Sequence, residues 1–140
     1  MASVSHTEVV NAPASAVWGV VGDFGNGEWL GVSFEVDGSG VGAIRSVRIS
    51  ADVAPIVERC EQRDDDSMVL GYSIVDGNML PVTSYLGEVH VTVVDDEHSE
   101  FTWTTTYEPV GDDGDVRPIL QSAVLGRVKA LKRLIEATPP

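Results

Sequence analysis

Two opposite charges stand on the apolar side of an alternating pattern. In Ala43–Ser50 one register holds Arg45, Val47 and Ile49, and in Pro55–Arg63 one register holds Ile56, Glu58 and Cys60. Strands that alternate in this way turn successive side chains to opposite faces, so Arg45 and Glu58 are expected to point inward with the apolar residues. A buried charge is costly unless it is paired. Two opposite charges on neighbouring strands would satisfy each other, with Glu58 as general base and Arg45 holding Glu58 or a developing oxyanion. The competing readings are a purely structural ion pair, or a slip of one residue that sets either group in solvent.

The same face takes Leu70, Tyr72 and Ile74 from Met68–Val75. It also takes Thr83, Tyr85, Gly87, Val89, Val91 and Val93 from Thr83–Val93, and Phe101, Trp103, Thr105 and Tyr107 from Phe101–Tyr107. Tyr85 is the candidate for orienting a carbonyl. Tyr72, Trp103, Tyr107, Trp29, Val47, Ile74 and Val124 are the expected ligand-facing wall, although large aromatics also simply fill cores. Cys60 reads as a small buried hydrophobe, for want of a His partner. His6, His90 and His98 are scattered without ligand spacing, and Asp64-Asp65-Asp66 lacks the spaced ligands of a calcium loop, so no metal is expected. Gly38-Ser39-Gly40-Val41-Gly42 joins two strands rather than opening a helix, which suits a hairpin better than a phosphate cradle.

These residues need a sheet and a cover. Turn compositions rich in Gly, Asp and Asn recur about every 10–20 residues, as in an antiparallel sheet joined by hairpins. A first helix follows Pro13 and spans Ala14–Val21, with another short turn over Asn26–Leu30. A second spans Pro118–Ala137, with Leu120, Val124, Val128, Leu131 and Ile135 on one stripe and Pro139-Pro140 unable to extend it. Arg127, Lys129, Lys132 and Arg133 read as cations suited to its C-terminal half. Gly126 within this helix implies either close packing on the sheet or room for a ligand. At about 1.5 Å per residue the helix runs about 30 Å, long enough to cross a sheet with one apolar face. The expected class is α+β, with a curved antiparallel sheet of about seven strands around a long C-terminal helix and two short helices after the first strand.

The 140 residues form one expected domain, 1–140, with a net charge of −13. Residues 1–116 carry 21 acidic and 4 basic side chains, and 117–140 carry 1 and 5. An acidic body repels phosphates and argues against a nucleic-acid partner. Nothing in the chain suggests a leader, a membrane span or a disulfide, so a cytoplasmic setting is expected.

The order of elements, with these residues, resembles the helix-grip superfamily of START-like or Bet v 1-like proteins (SRPBCC), and within it the polyketide cyclase/dehydrase branch. The matching pieces are Val9-Val10-Asn11-Ala12-Pro13 with Val17-Trp18, then Asp23-Phe24-Gly25-Asn26 and Trp29. After these come Gly40-Val41-Gly42-Ala43-Ile44-Arg45, Val57-Glu58-Arg59, Tyr72-Ser73-Ile74, Pro81 with Tyr85, and Trp103. Three positions are also similar to the lachrymatory-factor synthases, helix-grip proteins that move protons with an Arg, a Glu and a Tyr. Arg45, Glu58 and Tyr85 match those places, with a shorter spacing between the first two. The resemblance implies a cavity for a small hydrophobic molecule, aromatic or polyketide-like, in a monomer or homodimer. It implies cofactor-free cyclisation, dehydration or isomerisation, or else a non-catalytic carrier, sequestering or sensor protein.

Overall fold

The computed structural model describes residues 2–48 and 50–137. The expectations for Ile49 and for Pro139-Pro140 lie outside the described residues. Seven strands, β1 (Ala2–Val10), β2 (Ser33–Asp37), β3 (Ile44–Arg48), β4 (Ile56–Asp64), β5 (Val69–Asp76), β6 (Val82–Val93) and β7 (Ser99–Pro109), form one sheet. Their order is β1-β7-β6-β5-β4-β3-β2, and every pairing is antiparallel. Helix α1 (Ala14–Val21) and a 3-10 turn (Glu28–Leu30) link β1 to β2, and α2 (Asp113–Ala137) follows β7. The α+β helix-grip expectation is met.

Helix α2 begins one turn before Pro118, where the sequence pattern had placed its start. Asp112 supplies the reason: its side chain accepts the Gly114 backbone N–H at 2.9 Å, capping the first turn. Pro118 therefore sits in the second turn and costs the helix one backbone hydrogen bond. The stripe of Leu120, Val124, Val128 and Leu131 is buried, with Ile135 packed beside it. At about 1.5–3 kcal/mol per side chain, this stripe is what holds the helix to the sheet. It lies mainly on β1 and β7. Lys129 meets Glu8 at 3.2 Å, and Arg117 donates to the Ser3 carbonyl at 3.0 Å, so basic groups of the helix rest on the acidic body. Gly126 faces away from the sheet with nothing near its missing Cβ, so it neither packs closely nor leaves room for a ligand.

Register shifts in two strand pairs break the expected alternation. A bulge between Val82 and Ser84 turns Val82 inward and leaves Thr83 exposed, contrary to strict alternation. Val93, at the far end of β6, is also exposed. The β4–β5 pairing shifts register as well, between Val57 and Glu58 and between Cys60 and Gln62, and β4 is exposed throughout beyond Cys60. One inward row runs Tyr72, Gly87, Thr105, Val4 across four strands. Gly87 is required in that row, because a Cβ there would overlap the Tyr72 ring, which lies across β6.

Candidate functional site

Because α2 rests on β1 and β7, the other strands curve away from it. A cleft of about 190 Å³ remains between them. Its floor is Arg45 and Val47 on β3, Ile56 and Glu58 on β4, Tyr72 on β5 and Trp103 on β7. Arg127 of α2 closes one side, and Leu30, Val32 and Phe34 close the other. A smaller void of about 10 Å³ adjoins it and shares Arg45, Tyr72 and Trp103, with Trp29 added to its wall.

Arg45 and Glu58 are direct cross-strand partners. Arg45 Nε donates to Glu58 Oε1 at 2.7 Å, and both residues are buried. Arg45 also donates to the Phe24 carbonyl at 2.9 Å. Its guanidinium lies 4.1 Å from the Phe24 ring centre and 4.3 Å from that of Phe34, so it is held between two aromatic faces. Glu58 Oε2 receives no hydrogen bond from any described residue. Burial raises the Glu58 pKa above its ordinary value, and the charge and hydrogen bond of Arg45 offset part of that rise.

A second constellation joins this pair. The Tyr72 and Tyr85 hydroxyls lie 3.3 Å apart, and Arg127 Nη1 donates to the Tyr85 hydroxyl at 3.2 Å. The Arg127 guanidinium sits 4.9 Å from the Trp103 ring centre. Burial holds the Tyr72 phenol well above the ordinary tyrosine value, so it stays neutral and able to donate. The Trp103 indole Nε1 is buried with no acceptor among the described residues.

The structure thus brings Arg45, Glu58, Tyr72, Trp103 and Val47 onto one cavity. Tyr85 stands behind Tyr72 and touches Arg127, while its own ring borders a separate cleft together with Ile74. Tyr107 is turned to the start of α2, where its hydroxyl donates to Asp113, and it does not line the cavity. Val124 is spent on core packing. Cys60 is buried, its thiol pKa raised by that burial. Sequence alone does not single out Arg127, because with Lys129, Lys132 and Arg133 it reads as one of the cations suited to the C-terminal half of the helix. Its position three residues after Val124 and one before Val128, at the margin of the stripe, is the signal that could have found it. Phe24 and Phe34, which clasp Arg45, carry no periodic signal because they lie in a loop and a five-residue edge strand.

A curved antiparallel sheet gripping a C-terminal helix, with polar groups on a cavity between them, defines a helix-grip protein of the SRPBCC class. The chain belongs to the polyketide cyclase/dehydrase and lipid transport family, whose model matches residues 1–136. Its fold is similar to that of an uncharacterised protein from Bacillus thuringiensis (TM-score 0.85, 24% identity, 96% of this chain and 98% of that one). It is also similar to a protein from Thermobifida fusca (TM-score 0.81, 24% identity, 96% and 93%). A third likeness is to norcoclaurine synthase from Thalictrum flavum in complex with dopamine and hydroxybenzaldehyde (TM-score 0.79, 20% identity, 99% and 88%). No curated protein matches the chain. No helix among the described residues is long and apolar enough to cross a membrane.

Proposed function

We propose that the cavity binds a small, largely apolar molecule and that Glu58 moves a proton on it, giving a cofactor-free cyclisation, dehydration or isomerisation. The observation that carries this reading is the buried Arg45–Glu58 pair, which lies on the cavity wall and leaves Glu58 Oε2 without a donor. Arg45 holds the carboxylate in place through Oε1, which leaves Oε2 for a proton next to a ligand carbonyl. The raised Glu58 pKa makes it a stronger base than an ordinary carboxylate. Tyr72 lines the cavity with a neutral hydroxyl and orients the carbonyl. Tyr85 supports it from behind, a change from the direct contact expected of Tyr85.

Size narrows the ligand. An apolar cavity of about 150 Å³ takes up benzene, so 190 Å³ suits one ring with short substituents. Pockets for drug-sized ligands run from about 300 Å³ upward, which disfavours a multi-ring polyketide or a lipid chain.

The second reading is a carrier or sensor. It is favoured by the closed geometry of the Arg45–Glu58 pair, which a merely structural bridge would also show. Native mass spectrometry of protein purified from its own host tests both. The co-purified molecule is then incubated with the unaltered chain and with Glu58→Gln. Conversion by the former, and binding without conversion by the latter, support the enzyme. Recovery of the molecule unchanged from the unaltered chain, or equal turnover by Glu58→Gln, refutes the proton transfer.

A further inference from the structure

We propose that the ligand carries a carboxylate, and that Arg127, stacked on Trp103, is the group that receives it. The inference rests on the reading of the cavity as the ligand site, and it names the class of ligand: a small one-ring acid or an acid of similar bulk.

The first argument is charge. The cavity wall holds two guanidinium groups, Arg45 and Arg127, and one carboxylate, Glu58. Glu58 pairs with Arg45 at 2.7 Å. Among the described residues, every other Arg or Lys that is at least partly buried also has its carboxylate: Arg117 with Asp113 and Lys132 with Glu136, each at 2.9 Å. Arg127 is half-buried and has none within 4.0 Å. The whole chain carries a net charge of −13, yet this interior wall carries a net positive charge. Tyr72 does not neutralise it, because its phenol stays protonated. Glu58 acts on Arg127 through space but does not touch it; a partly desolvated cation with no carboxylate in contact is unfavourable, and an anionic ligand supplies one.

The second argument is the balance of donors and acceptors. Arg127 has five N–H donors, and its one hydrogen bond among the described residues goes to the Tyr85 hydroxyl. The Trp103 ring beneath it carries one more donor without an acceptor among the described residues, Nε1, which is enclosed and does not itself open on the cavity. This end of the cavity is rich in donors and poor in acceptors. An ionised carboxylate accepts only, at two oxygens, and matches the fork of a guanidinium. The apolar remainder of the ligand would face Val47, Ile56, Leu30 and Val32. With the acid held at Arg127, Glu58 is left free for the proton transfer.

The test uses benzoate and benzamide, which share a ring and differ in charge, titrated at neutral pH against the isotope-labelled full chain. The Trp103 indole N–H resonance, assigned with Trp103→Phe, reports occupancy through the ring current of the probe. Both probes are expected to shift it, benzoate with a Kd lower by about tenfold or more. In Arg127→Gln that preference should fall to within about twofold, benzoate losing more affinity than benzamide, while Arg127→Lys should keep most of it. Equal affinity for the two probes in the unaltered chain overturns the carboxylate subsite and leaves the cavity reading standing. A Trp103 resonance unmoved by either probe overturns both. A benzoate preference that survives Arg127→Gln moves the anion to another group and overturns the assignment to Arg127. If Arg127→Gln does not fold, the selectivity of the unaltered chain and of Arg127→Lys still decides.

Discussion

Replacing Arg45 by Met should destabilise the protein strongly at neutral pH and weakly in mild acid. Arg45 and Glu58 are 6% and 9% exposed. Removing one partner of such a pair leaves the other as an uncompensated buried charge, at a cost of about 3–5 kcal/mol. For a chain of this size that corresponds to a Tm lower by about 10–15 °C. The pH dependence follows from the direction of the Glu58 shift. Its folded-state pKa is already raised from 4.5 by burial, and Arg45 is the main group opposing the rise. Without Arg45 it climbs further. A carboxyl with a raised folded pKa contributes stability that is full below its unfolded value and lost as pH rises through the folded one. The variant therefore escapes its penalty as pH falls below the ordinary carboxylate value of 4.5, where Glu58 is protonated folded and unfolded alike, and loses only about 1–2 kcal/mol of hydrogen bonding and packing. Denaturant unfolding of the variant and the unaltered chain at both pH values gives the difference, in which other carboxylates cancel. Adding Glu58→Leu should recover most of the neutral-pH loss, because no orphaned charge remains. A loss under about 1 kcal/mol at neutral pH, or the same loss at both pH values, would refute a buried pair on this wall.

Gly87→Ala should cost about 1–3 kcal/mol, as overpacking, and should displace the Tyr72 ring; unchanged unfolding and unchanged tyrosine resonances would contradict the close approach seen at Gly87. Asp112→Ala should lower stability by about 1 kcal/mol through loss of the α2 cap, measured by denaturant unfolding. If the identified ligand is converted, the rate should rise with pH through a midpoint above 4.5 as Glu58 ionises, and that limb should vanish in Glu58→Gln; a pH-independent rate would argue against Glu58 as the base.

Local patterns determined a good deal on their own. The period-two alternation located the strands and put Arg45 and Glu58 on the covered face, because the pleat admits only two directions for a side chain. The spacing of Leu120, Val124, Val128 and Leu131 marked the buried stripe of α2, because a helix repeats its face every 3.6 residues. Pro13 and Gly22 bracketed α1, which begins and ends where the sequence placed it. Tertiary structure alone decided the rest. A bulge exposes Thr83, and no periodic count registers an inserted residue. The Tyr107 hydroxyl is used up by Asp113, which depends on where α2 starts over the sheet. Arg127, by sequence one of several cations in the latter half of the helix, becomes a cavity wall because the helix sits over β1 and β7 and presents its margin to the opening. The cavity volume depends on how far the remaining strands curve away from that helix. That distance is set by packing across the whole sheet, and no short stretch of residues encodes it.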